Sequence, residues 1–204
     1  MKDPNPATAE QRLLDAASRV VSARGYAASR VSDIVAEAGF GQGTFYLYFR
    51  NKQAVFMALI DRFFEELLAQ TLGTYPAVQL ETAAMMRRQI TDTLRSILAY
   101  ARERPELARL VLRDAASLPP DERTRIDRNY TRAAAGLSAY CCEAQRRGLL
   151  RDVNPDLAGW LVIGMVEKAV HYAILVAPEK DIETIVEDLV TVELSGLLKT
   201  EAGQ

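Results

Sequence analysis

The stretch Gly39–Lys52 decides the fold, and it reads Gly-Phe-Gly-Gln-Gly-Thr-Phe-Tyr-Leu-Tyr-Phe-Arg-Asn-Lys. A helix turns by about 100° per residue, so Phe45 and Phe49 lie on one side, with Tyr48 beside them. We expect this aromatic side to pack into a core. Four residues point the opposite way, where only solvent or a partner is available: Gln42, Gly43, Tyr46 and Leu47.

Two further helices are predicted before this stretch. From Thr8 to Arg24, apolar residues recur at spacings of three and four, and Gly25 is a stop signal. A second, short helix is predicted over residues 31–38 and is ended by Gly39. The third helix begins near Gly41 or Gln42, about three residues later. Two short helices joined by a short turn containing glycine form the helix-turn-helix pattern of DNA-binding proteins.

The outward side of the third helix carries residue types that suit the major groove. Gln42 can form two hydrogen bonds with adenine, Leu47 can touch a thymine methyl, and Gly43 allows close approach. Lys52 lies near the start of a fourth helix, whose N-terminal amides attract phosphate. The alternative is that these residues are merely core or solvated. The predicted DNA contacts are Gln42, Gly43, Thr44, Tyr46, Leu47, Tyr48 and Lys52, with Arg30 and Ser32 at the second helix.

Residues 8–56 contain a long set of correctly spaced runs: Gly25-Tyr26, Val31-Ser32-Asp33-Ile34-Val35, Ala38-Gly39, Gly43-Thr44-Phe45-Tyr46-Leu47-Tyr48-Phe49, Asn51-Lys52 and Val55-Phe56. On these runs the segment resembles the N-terminal domain of the TetR (tetracycline-repressor) family of bacterial transcriptional regulators. Gly41 departs from the family, which often has Ser or Thr there, but glycine is an acceptable helix cap. Arg50 also departs, and it could add a phosphate contact.

Composition agrees with a soluble regulator. The chain has 204 residues, of which 49% are hydrophobic and 25% charged, with a net charge of −2. Residues 1–52 carry a net charge of +2 and the remainder −4, which fits a small DNA-binding surface on an acidic body. Met1–Pro6 resembles a flexible arm rather than a secretory signal. Residues 157–176 are interrupted by Glu167, Lys168 and His171, so we expect no membrane span and a cytoplasmic location.

The rest of the chain is predicted to be helical throughout, because strand-like alternation is absent. We expect an all-α fold of about nine helices. Residues 1–52 form the arm and the three-helix DNA-binding domain, and residues 53–204 form a helical regulatory, ligand-binding and dimerisation domain. The later six helices are predicted over residues 52–72, 80–104, 105–116, from the break at residues 118–121 to Arg147, 155–176 after an Asn154 cap, and from an Asp181 cap to Lys199.

The last two helices carry more apolar surface than a single chain needs. The eighth is apolar nearly all round, and the ninth has a continuous apolar stripe, which typically marks an interface. The family resemblance implies that these helices pair with their twins in a homodimer. The alternative is that they only fill the monomer core. The predicted interface residues are Leu157, Leu161, Gly164, Lys168, Ile185, Leu189 and Leu197.

The resemblance also implies a ligand cavity between the fifth, seventh and eighth helices, with the fourth and sixth below it. Core packing is the competing interpretation for each apolar candidate. Glu167 and His171 lie four residues apart and could instead satisfy each other. The candidate ligand-binding residues are Met86, Ile90, Leu94, Tyr100, Tyr140, Trp160, Glu167 and His171.

The function predicted from these patterns is a ligand-responsive DNA-binding regulator. The resemblance implies a repressor released from a palindromic operator by an apolar or amphipathic small molecule. A helical enzyme is an alternative, but His171 is the only histidine and no phosphate-binding loop or nucleophile motif is present. An interaction module with a degenerate helix-turn-helix is a further alternative. We expect no cofactor, no catalytic residue and no metal site. The sequence does not identify the effector, the operator, the sign of regulation, or a redox role for Cys141 and Cys142.

Overall fold

The computed structural model describes residues 6–72, 81–114 and 120–197 of the chain. Within these ranges the backbone forms nine α-helices and no β-strand, so the all-α prediction is confirmed. The helices are α1 (Pro6–Ala28), α2 (Val31–Ala38), α3 (Gln42–Tyr48), α4 (Lys52–Leu72), α5 (Ala83–Glu103), α6 (Pro105–Arg109), α7 (Pro120–Arg146), α8 (Pro155–His171) and α9 (Ile182–Leu197). Two of them continue into a π-helical turn, α6 over Leu110–Asp114 and α8 over Tyr172–Val176.

The turn between α2 and α3 depends on a left-handed glycine. Gly39 has φ 70°, and its amide donates to the carbonyl of Ala36. The amide of Phe40 donates to the carbonyl of Val35 at 2.9 Å, which closes the end of α2. The chain then re-enters a helix at Gln42, with Gly41 extended as its N-cap. These bonds fix the direction of α3 relative to α2.

The predicted end of the first helix at Arg24 is wrong by one turn. Gly25 does leave helical geometry, with φ 75° and ψ 164°, but a further turn follows to Ala28. The buried hydroxyl of Ser29 donates to the carbonyl of Gly25 at 2.6 Å, which satisfies an acceptor that the break exposes. The glycine therefore produces a kink in α1 rather than its end.

Capping side chains set the boundaries of the later helices. Thr82 accepts a hydrogen bond from the amide of Met85, so α5 begins at Ala83 and not at Leu80. Asn154 and Asp181 cap α8 and α9 as predicted, through bonds to the amides of Leu157 and Thr184. The predicted ends of the sixth helix at Ala116 and of the ninth at Lys199 lie outside the described residues.

The buried side chains form two main cores. One joins α1–α3 to α4, α6 and α7, and it includes Phe45, Phe49 and Phe56. The other joins α5, α7, α8 and α9. The first core continues across Lys52, so the predicted boundary between residues 52 and 53 does not coincide with a break in packing. That domain division stays a prediction.

Helices α7 and α8 approach each other closely at Gly159. A Cβ at Gly159 would lie 2.7 Å from the carbonyl oxygen of Ala134 and 3.0 Å from the amide nitrogen of Ser138. Both are backbone atoms, which cannot move aside as a flexible side chain could. Gly159 is therefore required for the close approach of these helices.

The segment Pro155–Val176 is long and apolar enough to cross a membrane by length and composition. The expectation that no apolar run reaches this length is therefore wrong. One of its faces packs along α7 through Ala158, Gly159 and Val162, which are buried. A core helix of a soluble protein has the same composition, so this segment is weak support for a membrane span.

We predict that Gly159→Ala lowers the free energy of unfolding by about 1–3 kcal/mol, because the added methyl overlaps the backbone of α7. The control is Gly43→Ala in α3, where a Cβ has no neighbour within 4 Å. That change should be neutral or stabilise by up to about 1 kcal/mol. Urea unfolding followed by circular dichroism measures both. Equal stability of Gly159→Ala and the unchanged protein would contradict the packing argument.

Candidate functional site

The buried and the exposed residues of α3 lie on the faces that the periodicity predicts. Phe45 is fully buried and Phe49 nearly so, whereas Tyr46 is 56% exposed and Leu47 is 80% exposed. Gln42 and Gly43 are also exposed, and Thr44 and Tyr48 are half-buried at the edges. An exposed, partly apolar helix face beside a glycine turn is a surface suited to the major groove. The DNA contacts themselves stay predictions.

The glycines of this surface have no packing role in the chain. A Cβ at Gly41 or at Gly43 would meet no atom within 4 Å. Because Gly43 has no side chain, the helix backbone is accessible between Gln42 and Tyr46. Arg30 and Ser32 are exposed beside it, at the start of α2. Eight of the nine predicted contact residues therefore reach the surface with their side chains or backbone. The ninth, Lys52, is half-buried.

The ammonium group of Lys52 is bound within the chain. Its Nζ donates to the carbonyl oxygens of Tyr26 at 2.7 Å, Ala27 at 3.3 Å and Ser29 at 2.9 Å. It also lies 4.4 Å from the centre of the Tyr26 ring, and burial lowers the pKa of Lys52. These bonds occupy its three donors. Lys52 thus joins the end of α1 to the start of α4. This geometry does not favour the phosphate contact predicted for Lys52.

A cavity of about 190 Å³ lies in the helical body. Residues from α4, α5, α7 and α8 surround it, with contributions from α6 and its π-helical turn, and from α9. Five of the eight candidate ligand residues line it: Met86, Ile90, Leu94, Tyr140 and Glu167. Its position therefore matches the expected one, and α9 is an addition to the predicted walls.

Three candidate ligand residues do not line the cavity. Tyr100 is buried in the other core, where its hydroxyl donates to Glu66 at 2.6 Å. Trp160 is 48% exposed on the outer side of α8, and His171 is half-buried outside the lining. The carboxylate of Glu167 pairs with the neighbouring Lys168 at 2.9 Å and not with His171. An apolar helix has several buried sides, and periodicity alone did not identify which side faces the cavity.

Glu193 on α9 is a cavity residue that the sequence analysis missed. It is only 5% exposed, and its Oε2 has no hydrogen-bond partner. Burial raises the pKa of Glu193 to about 7. The sequence pattern contained a signal for Glu193, because this residue lies four residues after Leu189 and directly before Leu194, on the inward stripe of α9. An acidic residue in an apolar stripe needs a partner or a purpose.

The two cysteines have different surroundings. Cys141 is buried and lines the cavity, and burial raises its pKa to about 11, whereas Cys142 is exposed. A thiol with a raised pKa is unreactive at neutral pH. No group of three or more His, Cys, Asp or Glu residues capable of holding a metal ion is found within the described ranges.

The predicted interface residues on α8 form an exposed face. Leu157 and Leu161 are each 59% exposed, Gly164 has open space beside it, and Lys168 is exposed. Trp160, first expected in the cavity, belongs to this face. An exposed apolar surface of this kind is typical of a protein interface.

The predicted interface residues on α9 need correction. Ile185 is 6% exposed and packs in the second core, and Leu189 is half-buried against it. The apolar stripe of α9 faces α5 in the same chain, so burial within the monomer accounts for it. Val192, 64% exposed, lies on the outward side instead. The side chain of Leu197 lies outside the described part.

Polar contacts join α4 to the helices on either side of it. Arg62 bonds both Asp15 of α1 and Glu66 of α4, at 2.7 Å each. The hydroxyl of Tyr100 on α5 donates to the same Glu66. A neighbouring acidic residue of α4, Asp61, accepts from Asn129 of α7 at 3.2 Å. The pKa of Glu66 is lowered, with burial opposed by its bonds to Tyr100 and Arg62.

A helix-turn-helix with an exposed outer face, joined to a helical body with an internal cavity, defines a helix-turn-helix transcriptional regulator. Residues 13–59 match the model of bacterial regulatory proteins of the tetR family, and residues 83–173 match the tetracyclin repressor-like C-terminal domain. Together the two segments cover about two thirds of the chain. The chain belongs to the tetR family of bacterial regulatory proteins. Both matched models describe regulators and not enzymes.

Individual relatives agree with this family. The chain is 51% identical over 53 residues to the HTH-type transcriptional regulator YdgC of Bacillus subtilis, a match covering 26% of this chain and 27% of YdgC. Matches to curated relatives thus span about a quarter to a third of their length.

Solved structures share the fold along the whole chain. A TetR-family regulator from Mesorhizobium loti MAFF303099 has a TM-score of 0.75 at 18% identity, covering 97% of this chain and all of that one. FadR from Bacillus subtilis, solved with stearoyl-CoA, has a TM-score of 0.73 at 20% identity, covering 91% of this chain and 98% of that one. At these identities the likeness extends to the fold alone.

We predict that Lys52→Met lowers the free energy of unfolding by about 1–3 kcal/mol, because three carbonyl groups lose a charged donor. Arg50→Met is the matched control, since it removes a cation two residues away from an exposed position and should change stability by less than about 0.5 kcal/mol. Chemical unfolding measures both variants. If Lys52→Met were as stable as Arg50→Met, the role of Lys52 in joining α1 to α4 would be wrong.

Proposed function

We propose that the protein is a ligand-responsive, DNA-binding transcriptional regulator that acts as a homodimer on a palindromic operator. The observation that carries the proposal is the exposed face of α3, in which Tyr46 and Leu47 project while Phe45 and Phe49 anchor the helix from below. A helix held in this way presents its outer side chains to base edges without a large entropy cost. Family membership supports the same assignment.

The DNA-binding residues act in two ways. Gln42, Tyr46 and Leu47 contact base edges, and Gly43 lets the helix backbone approach the groove closely. Thr44 and Tyr48 at the margins, with Arg30 and Ser32 at the start of α2, bind phosphates and fix the register. Lys52 contributes indirectly, since its bonds to the end of α1 hold α4 in place behind the recognition helix.

The dimer forms through the exposed face of α8, with the outward side of α9 beside it. Leu157, Trp160 and Leu161 supply the apolar centre, and Gly164 allows the twin helices to approach closely. A twofold axis presents two copies of α3 in opposite orientations, which a palindromic operator matches. Because the interface lies in the body, its geometry sets the spacing of the two recognition helices.

Effector binding in the cavity is coupled to the operator through α4. Phe63 and Phe64 line the cavity, and they also belong to the core beneath the helix-turn-helix. An occupant that displaces these rings displaces the helix that carries Lys52. The effector then favours an arrangement in which the two recognition helices no longer fit the operator, so the protein acts as a repressor that is released. A few kcal/mol of differential binding suffices for this coupling.

We predict that Gln42→Ala and Tyr46→Ala each weaken operator binding by about tenfold or more, because each removes base contacts worth about 1–3 kcal/mol. Gly43→Ala should also weaken binding while keeping the fold, since its methyl projects only toward the groove. The operator is first selected from a pool of random duplexes, and affinity is then measured by fluorescence anisotropy at two salt concentrations.

The control for these variants is Glu81→Gln, an exposed position just before α5, which should bind the operator as the unchanged protein does. Unchanged affinity in both Gln42→Ala and Tyr46→Ala would show that α3 does not read the bases through this face. Failure of the unchanged protein to select any duplex would reject the proposed function itself.

We predict that Leu161→Glu converts the dimer into a monomer, because it places a charge at the centre of the apolar face of α8. Leu47→Glu introduces the same group at a more exposed leucine on α3 and should leave the dimer intact. Size-exclusion chromatography with light scattering distinguishes the two outcomes. A dimer that persisted in Leu161→Glu would place the interface elsewhere.

A further inference from the structure

The carboxylate of Glu193 is held in a position that ordinarily requires a partner. The residue lines the cavity and is 5% exposed, yet its Oε2 accepts no hydrogen bond within the chain. Leaving a buried carboxylate oxygen unpaired is costly, and globular proteins rarely do so without a functional reason. Leucine or methionine at this position would fill the same space without that cost. The acidic group therefore indicates a ligand that supplies the missing donor.

The surroundings of Glu193 define the charge of that ligand. Tyr140 and Cys141 on α7 interact electrostatically with it, and Tyr130 on α7 and Glu167 on α8 complete the titratable lining. No Lys, Arg or His lies among the cavity-lining residues in the described ranges. The remaining polar groups are neutral, and one of them, Gln89, already accepts from the Tyr140 hydroxyl at 3.2 Å. The lining thus has acidic groups and no basic ones.

We infer that the cavity binds a compact amphipathic cation, whose protonated amine donates to Oε2 of Glu193 while its apolar body contacts the side chains of α4, α5 and α8. This assignment deepens the proposed function, on which it rests, by naming the chemical class of the effector. A charge-assisted hydrogen bond in a dry site is stronger than a neutral one, and the cation removes the cost of the buried charge.

The size of the cavity limits the apolar body. An apolar protein cavity of about 150 Å³ holds benzene. The present cavity is about 190 Å³, so one aromatic ring or a short alkyl chain, extended by a few atoms that reach Glu193, fills it. Phenylbutylamine has this shape, and phenylbutanol and phenylbutanoate share its body with a neutral or an anionic end. The three compounds form a matched set of probes.

The pH dependence of binding follows from the protonation of Glu193. Its pKa is raised to about 7, and an ammonium ligand binds the ionised form. Affinity for the amine should therefore be full well above pH 7 and should fall as the pH drops through 7, because protons then compete with the ligand. A carboxylate ligand would show the opposite trend, since it needs Glu193 protonated. The direction of the change thus reports the charge of the ligand.

The test is isothermal titration calorimetry of the full chain with each probe, at about pH 8 and about pH 6. We expect the amine to bind about tenfold or more tightly than the alcohol and the carboxylate at the higher pH, and to lose affinity at the lower pH. Glu193→Gln should remove both the preference for the amine and its pH dependence. Glu81→Gln, the same change at an exposed position just before α5, should retain both.

Three results would overturn the inference: tighter binding of phenylbutanoate, an amine preference that survives in Glu193→Gln, or no binding of any probe. Circular dichroism of Glu193→Gln establishes that the variant is folded, and its affinity for the alcohol establishes that the cavity is intact. Operator binding is measured in parallel without any probe. Intact operator binding with no amine preference rejects the cationic effector alone, whereas loss of operator selection by the unchanged protein rejects the regulator.

Discussion

The position of α4 between the core of the helix-turn-helix and the cavity is the constraint on which the rest of the structure depends. Phe63 packs on Tyr100 with ring centres 5.0 Å apart, and Phe64 packs on Tyr130 at 5.3 Å. Phe63 and Phe64 belong to the core that supports α1–α3, and they also form part of the cavity wall. A close-packed interior transmits displacement rather than absorbing it. The cavity and the recognition helix are therefore linked through the same packed side chains of α4, although they belong to parts of the chain with different predicted functions.

Hydrogen bonds, and not packing alone, fix the position of the helix-turn-helix on this shared helix. Lys52 binds carbonyl groups at the end of α1, and Arg62 reaches Asp15 nearer the start of α1. These two contacts lie ten residues apart on α4, nearly three turns of helix. Two separated attachments prevent α1 from pivoting about a single point. Under the proposed coupling, movement of α4 would therefore be passed to α1.

Local patterns allowed the DNA-binding part to be predicted, whereas long-range contacts limited the rest. The faces of α3 follow from the spacing of Phe45 and Phe49, because a short helix in a small core has one buried side. The roles of Lys52 and Trp160 could not be found this way, since the first depends on carbonyls more than 20 residues away and the second on which side of α8 meets α7. Glu193 was visible as an acid in an apolar stripe, but only the fold places it in a cavity.

The adjacent cysteines on α7 give the protein a natural attachment site for a spectroscopic label. Cys142 is exposed, whereas its neighbour Cys141 is buried with a pKa raised to about 11. Thiol reagents attack the thiolate, so a spin label or fluorophore added at neutral pH attaches to Cys142 and spares Cys141. A homodimer would then carry one label on each α7, in its natural sequence. The distance between the paired labels would record how the two bodies are arranged, with operator or effector present, and without any engineered cysteine.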